Sequence, residues 1–397
     1  MNKVPKNELD FRLQKFTESM DIGHPEWEVC IITGGVNMYY FTGTMCDGVF
    51  IINRTGNATL WVRRSYERAK IESEFEDTRP MKSFREIAET VSNPPKIVYI
   101  DKANVTLEWY ELFNKYMQFN DTKAIDKEIL YTRSVKSDYE ISIMKQAGTV
   151  TDRLYREELP KLIYLGMSEA DLGAELFALF IKNGFQGVSR FTMRNVDSVL
   201  GHVSFGSGSL YPSAFNGASG TKGLTPAAPV LGSHDRHLKK GDLIYIDLGV
   251  GIDGYHIDKT TVFSYMIPQP DHIRETHEHC LELEQKTIGI LTPGTIPASI
   301  YEEITASVNP KYTHTFMGAE GRTVPFIGHG VGLNVDEMPV LAKGFTTPLE
   351  KNMTIAIEPK ISIPDKGMVG SENTYLVTET GGLSLTGPPG KLKVIGS

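Results

Sequence analysis

Asp247, Asp258, His329, Glu358 and Glu372 are the residues of this 397-residue chain whose types and settings point to chemistry. Asp247 interrupts the apolar run Leu243–Gly249, and Asp258 lies in a second run, Tyr255–Phe263, beyond a turn containing Asp253-Gly254. If Ile252 and Asp253 form a two-residue hairpin loop, the two aspartates stand directly opposite one another. Facing residues of such a ladder hold their Cβ atoms roughly 4.5–5.5 Å apart, where like charges repel. A second hairpin repeats the arrangement, running from Thr354–Glu358 through Pro364–Gly367 to Ser371–Asn373. Between the hairpins lies Gly328-His329-Gly330-Val331-Gly332, whose glycines leave room around a single imidazole. The strand residues beside the acids are mostly apolar, so the acids are expected to point into the domain. Four carboxylates and one imidazole with no obvious basic partner make a donor set suited to divalent cations. Manganese, cobalt, zinc and iron all suit such a site. Singly, a strand aspartate, a histidine or a glutamate before proline has an ordinary structural reading. The set carries the expectation.

The elements that must position these residues fall into two parts. The first third reads as α/β. Val29–Thr33, Gly48–Asn53, Ala58–Val62 and Lys96–Ile100 are expected strands, with a hairpin loop at 54–57 and helices around Tyr66–Glu74 and Leu107–Tyr116. The register changes near Thr132–Asp138, where Ser137 can cap a helix over Tyr139–Leu154 with apolar residues at helical spacing. The boundary is placed there, giving domains 1–134 and 135–397. The segment Gly206–Gly232, rich in Gly, Ser, Pro and Ala, is expected to be a long irregular loop lining a site. A further helix is expected from Asp271 to Ile290, ending at Thr292-Pro293-Gly294.

A formal net charge of −8 argues against nucleic acid or an anionic membrane surface as a partner. Cys30, Cys46 and Cys280 form no CxxC pair and suit a reducing, cytoplasmic location. The polar N-terminus lacks the apolar core of a signal peptide, and no window approaches the roughly 20 apolar residues of a membrane helix.

Several segments together resemble the pita-bread metallopeptidases, in their prolidase and aminopeptidase P (Xaa-Pro dipeptidase-like) branch. They are IDLGVGIDGYHIDKTTVF (246–263), TPG (292–294), GHGVGLNVDEMP (328–339), TIAIEP (354–359) and GSENTYLVT (370–378), with GVNMYYFTG (35–43) similar to the N-terminal domain of that branch. The resemblance implies an α/β (α+β) fold with a creatinase-type N-terminal domain, 1–134, followed by a pita-bread catalytic domain, 135–397. It implies that Asp247 and Asp258 hold one metal and His329 and Glu358 the other, with Asp258 and Glu372 bridging. A metal-bridging hydroxide would then attack short Xaa-Pro peptides, and Glu358 would shuttle the proton to the leaving amine. A homodimer is also implied, with Trp61, Arg63 and Arg64 on the expected edge of the N-terminal sheet reaching the partner.

Three positions depart from that branch. Val230 stands where a substrate-contacting histidine is usual, Asp336 replaces a second one, and Gly370 replaces an arginine. A carboxylate cannot donate a hydrogen bond unless protonated, so Asp336 is expected to bind a substrate ammonium or act as a base. His256, two residues from Asp258 on the same strand face, is the first candidate for the missing donor, ahead of His202 and His234. Asp336 as a base suggests an alternative, a dimethylsulfoniopropionate lyase-like reaction. A third reading is a non-catalytic binding protein of the same fold.

Overall fold

The computed structural model describes residues 2–90, 95, 97–193, 196, 198–319 and 321–396. The chain divides into two compact units, Met1–Arg133 and Ser134–Ser397.

In the first unit β1 (Val29–Ile32), β2 (Gly48–Asn53), β3 (Ala58–Val62), β4 (Thr78–Pro80), β5 (Ile97–Ile100) and β6 (Asp121–Ala124) form one sheet in the order β4-β3-β2-β1-β5-β6. The β-branched and aromatic residues of β1–β3 suit a pleated, buried surface, and β2 pairs with β3 across the turn at 54–57. Helix Leu107–Met117 makes the crossover from β5 to its parallel neighbour β6. Its Trp109 and Phe113 stack on each other and meet Phe84 edge-on. The aromatic run Met38–Phe41 lies within helix Gly35–Thr42, which ends at Gly43 in the left-handed region. The expectation that Trp61, Arg63 and Arg64 flank a sheet edge is corrected. β4 pairs outside β3, Trp61 is buried with Arg79 across its ring, and Arg63 and Arg64 both pair with Asp47. Lys96, the expected first residue of β5, lies outside the described residues.

The second unit opens with helix Asp138–Arg153. Ser137 accepts from the Glu140 amide and Glu140 reaches back to the Ser137 amide, a complete capping box. After β7 (Gly201–Phe205) the chain makes one short 3-10 turn, Gly206–Leu210, and then runs irregularly to β8 (Leu243–Ile252). β8 pairs with β9 (Tyr255–Tyr265), helix Asp271–Ile290 follows, and β10 (Gly318–Ala319) and β11 (Arg322–Thr323) form a small pair. Next come β12 (Phe326–Gly330), β13 (Glu337–Ala342), β14 (Thr354–Ile357), β15 (Lys360–Ile363), β16 (Gly367–Gly370), β17 (Asn373–Thr378), β18 (Gly381–Ser384) and β19 (Lys393–Ile395). They build a five-stranded sheet β13-β12-β14-β17-β18, a pair β15-β16, and a four-stranded sheet β19-β9-β8-β7. One apolar cluster, including Tyr245, Ile300, Ile355 and Val369, and another, including Leu176, Phe180, Ile246 and Ile257, form the core. Among the described residues no helix is long and apolar enough to cross a membrane.

Two details of register set the site. The β8–β9 loop is Asp253-Gly254 rather than Ile252-Asp253, because both central residues adopt positive φ (45° and 93°), as a type I′ turn requires. The pairing therefore shifts by two: Asp247 faces Thr260 and Asp258 faces Gly249. Both acids stay on one face but lie diagonally, roughly 7–8 Å apart by strand geometry, rather than directly opposed. In the second hairpin, β14 pairs with β17 while its continuation, β15, pairs with β16 in a different sheet. Glu358 and Glu372 stand at the break where both strands change sheets. Glu372 also bridges to Thr260 of β9, tying the break to the first hairpin.

Gly328 and Gly330 make room chiefly for neighbouring backbone. A Cβ at Gly328 would lie 2.3 Å from the Ala356 carbonyl oxygen, and one at Gly330 2.2 Å from that of Met338. Gly328→Ala is expected to destabilise by about 1–3 kcal/mol or more, as overpacking does. Gly289→Ala, in helix Asp271–Ile290 with nothing within 4 Å of the added carbon, should instead be neutral or gain up to about 1 kcal/mol. Denaturant unfolding of the two variants checks the contrast in sign.

Candidate metal centre

The structure brings Asp247, Asp258, His329, Glu358 and Glu372 together where three of the sheets of the second unit meet. The His329 Nε2 atom lies 3.5 Å from Glu358 Oε1, 3.7 Å from Glu372 Oε1 and 3.9 Å from Asp258 Oδ2. Its Nδ1 is 3.1 Å from the Gly330 carbonyl oxygen. A proton on Nδ1 donated to that carbonyl leaves the Nε2 lone pair facing the carboxylates, the tautomer a metal-ligating imidazole adopts. Asp258, His329 and Glu372 can each offer a ligand atom with all of these atoms within 4.8 Å of one another.

The other half of the cluster holds a residue the sequence reading missed. Lys360, only 2% exposed, places its Nζ 2.7 Å from Glu372 Oε2, 2.8 Å from Glu358 Oε2 and 3.4 Å from Asp247 Oδ2. The expectation of a carboxylate set without a basic partner is thereby corrected. The signal was present: strand alternation puts Lys360 on the same side as Glu358, two residues away, at the start of the strand Lys360–Ile363. The charges sort accordingly. Burial alone would raise Asp247, but Lys360 and then His202 outweigh it and hold its carboxyl below the usual range. Burial followed by the charges of Glu372 and Asp247 pushes Asp258 well up, and burial followed by Glu358 raises Glu372 to about 7. His329 is raised because Glu358 and Glu372 outweigh its burial, and Lys360 is raised for the same kind of reason. The donor set around His329 Nε2 fits one divalent cation. The oxygens of Asp247, Glu358 and Glu372 that face away from it already surround an ammonium, and so do not fit a second.

The scaffold behind the acids is polar and buried. Thr260 donates to Glu372 Oε2 at 2.8 Å, and the two residues also exchange backbone hydrogen bonds. Thr374 Oγ1 accepts from the Asp258 amide and donates to its carbonyl. Glu284 of helix Asp271–Ile290 accepts from Ser371, Asn373 and Tyr375, residues that alternate with Glu372 and so fix the strand from the opposite side. Lys259 donates to Asn373 at 2.6 Å and to the Thr386 carbonyl at 2.7 Å. His277 accepts from the Gly370 amide and reaches the Gly390 carbonyl with its other nitrogen.

The remaining candidates divide. Asp336 is held in place by Thr192, whose amide and hydroxyl donate to its two oxygens at 2.7 and 2.8 Å. Its carboxyl is raised by burial despite those bonds and despite nearby His329. His256 is spent on the scaffold instead of the acids. Its Nδ1 meets the Gly332 carbonyl, and its Nε2 meets Gln186 and the Arg190 amide. Burial lowers it to about 4, so it is neutral at physiological pH. The proton-donating part expected of His256 does not fit this placement. His202 lies closer to the acids, with Nε2 4.0 Å from Asp247 Oδ2 and a ring stacked on Tyr245. His234 is exposed, and Val230 is half-buried in the irregular segment before β8. Gly370 has no room for an arginine: its φ is +133°, and a Cβ would meet the Pro359 carbonyl oxygen at 2.3 Å.

An N-terminal mixed sheet followed by splayed β-hairpins that converge on four carboxylates and an imidazole defines a metallohydrolase of pita-bread architecture. The chain belongs to metallopeptidase family M24, which it matches over residues 142–379, and residues 12–135 match the creatinase/prolidase N-terminal domain. It is 28% identical over 377 residues to an Xaa-Pro dipeptidase of Pyrococcus furiosus, covering 94% of this chain and 97% of that protein. The crystal structure of the prolidase from Pyrococcus horikoshii superposes with a TM-score of 0.77 at 25% identity, covering 95% of this chain and 98% of that one. An Xaa-Pro dipeptidase from Bacillus anthracis, 21% identical, shares the fold with a TM-score of 0.80 over 98% of this chain and all of its own. Dinuclear divalent-metal use is general for the family.

Proposed function

We propose that this chain is a divalent-metal-dependent peptidase of short peptides, with Xaa-Pro dipeptides as its substrate class and Asp258, His329, Glu358 and Glu372 as its metal ligands. One observation carries the reading: three carboxylate oxygens from three strand segments converge within 3.9 Å of the free nitrogen of a single half-buried imidazole. The relatives that span nearly the whole chain, both Xaa-Pro dipeptidases, support the substrate class. A divalent ion held there would polarise the scissile carbonyl and favour ionisation of water.

The chain's own groups have distinct parts in this reading. Glu358 takes the proton from the attacking water and delivers it to the leaving amine, using a lone pair that its contacts with the two cation positions leave free. Lys360, donating to the other oxygen of Glu358, holds that carboxylate in one orientation. Asp336, fixed by Thr192, presents its remaining lone pairs to the substrate ammonium. A lyase role for Asp336 draws no support from a carboxylate already accepting two hydrogen bonds. A binding-only role draws none from a chain that keeps all five ligand-type side chains. Free Cys30, Cys46 and Cys280 are compatible with a cytoplasmic setting.

Metal-stripped enzyme restored with manganese, cobalt, zinc or iron and offered Ala-Pro beside Ala-Ala tests the reading. The expected outcome is turnover selective for proline, abolished by chelation and reduced more than about 100-fold in His329→Ala, beyond the roughly 10–100-fold that loss of a ligand's hydrogen-bonding partner costs. Absence of turnover with every metal would sink it. The resemblance also implies a homodimer. Light scattering should return twice the chain mass, and a monomer at working concentration would remove that part.

A further inference from the structure

The structure assigns the Lys360 ammonium to one of the two cation positions of this centre, so that the chain binds a single divalent ion, at His329, where its family uses two. The inference rests on the cluster being a cation site, and is independent of which peptide is cleaved.

An ammonium has three protons and no acceptor. Lys360 Nζ has three carboxylate oxygens around it, from Asp247, Glu358 and Glu372, at 2.7–3.4 Å. Every donor is therefore satisfied by the cluster itself. Glu358 and Glu372 each divide their two oxygens, with Oε1 toward His329 and Oε2 toward Lys360. That is how a carboxylate shared between two adjacent cations divides itself, and here one of the two is part of the chain.

Space then excludes a second metal ion. An ion bound at about 2.0–2.2 Å from the Asp247, Glu358 and Glu372 oxygens would sit within the volume Nζ fills. Lys360 is 2% exposed, and its stem belongs to a paired strand, β15. Displacing the ammonium would strand a charge in the interior instead of releasing it to water. The ammonium and one divalent ion together bring the four carboxylates to within one charge of neutrality. Lys360 also lies 6.0 Å from the centroid of the Tyr245 ring, whose hydroxyl donates to Asp247. Tyr245 and Asp247 thus frame the ammonium on the side away from His329. The hydroxide bridging two metal ions that the resemblance implies has no second ion to bridge in this chain.

Metal counting decides the matter. Wild-type protein, Lys360→Ala and Lys360→Ser are stripped, dialysed against excess Mn²⁺ or Co²⁺, freed of loose ions and analysed for bound metal per folded chain, with circular dichroism confirming the fold. The expected result is one ion in the wild type and two in either variant, a doubling caused by vacating the ammonium position. Two ions or none in the wild type, or one ion in a folded variant, would overturn the assignment. If neither variant folds, anomalous diffraction from cobalt-loaded wild-type crystals decides. A single peak at bonding distance from His329 Nε2, with Lys360 in place, supports the assignment. A peak among the Asp247, Glu358 and Glu372 oxygens overturns it. Peptide turnover enters none of these readouts, so failure of the proposed substrate class leaves the metal count intact.

Discussion

Four carboxylates in one buried pocket must be neutralised, and the second unit is arranged around that constraint. Desolvated like charges repel strongly, and each needs a partner or a proton. The fold supplies one permanent partner, the Lys360 ammonium, bonded to three of the four acids. It supplies a second, variable one in His329, whose free nitrogen faces the remaining oxygens. The directions of the shifts follow this division: Asp247, beside Lys360, is held low, while Asp258, without a lysine contact, is pushed up. A divalent cation beside His329 would answer the demand that Lys360 leaves unmet.

The surroundings hold these side chains in one geometry. The acids lie at a twisted hairpin and at the break where two strands pass from one sheet to another. Behind them, hydroxyl and amide groups of Thr260, Thr374, Ser371 and Asn373 hold the backbone, with Glu284 receiving three hydrogen bonds from the far side. Polar support of this kind orients ligands more sharply than apolar packing could, because each bond has a direction as well as a distance. Asp336 is tied to Thr192 in a similar way, and His256, neutral and buried, joins the Gly332 turn to Gln186 and Arg190.

Much of this was legible in the sequence because it rests on local patterns. The ends of helix Asp271–Ile290, the Ser137 cap and the acid-bearing strands follow from periodicity and capping chemistry. The register of the first hairpin was misplaced because a two-residue loop can be drawn at either of two positions. The positive φ of Asp253 and Gly254 decides between them. The edge assigned to Trp61 failed because the three-residue strand β4 is too short to announce itself. Lys360 escaped notice because a lysine after a proline reads as a solvated residue. Alternation places it on the face of Glu358, but only the folded structure shows that this face is buried. His256 misled for a related reason: strand alternation gives the face a side chain occupies but not how far along that face it reaches.

The central claim is that Lys360 is the internal counter-ion of the carboxylate cluster. Denaturant unfolding of metal-free wild type and Lys360→Met at pH 8 tests it most directly. Loss of a buried partner that leaves its carboxylates uncompensated typically costs about 3–5 kcal/mol, so the variant should be destabilised by that amount. Added Mn²⁺ should restore more stability to the variant than it adds to the wild type. Equal stability of the two metal-free proteins would contradict the account.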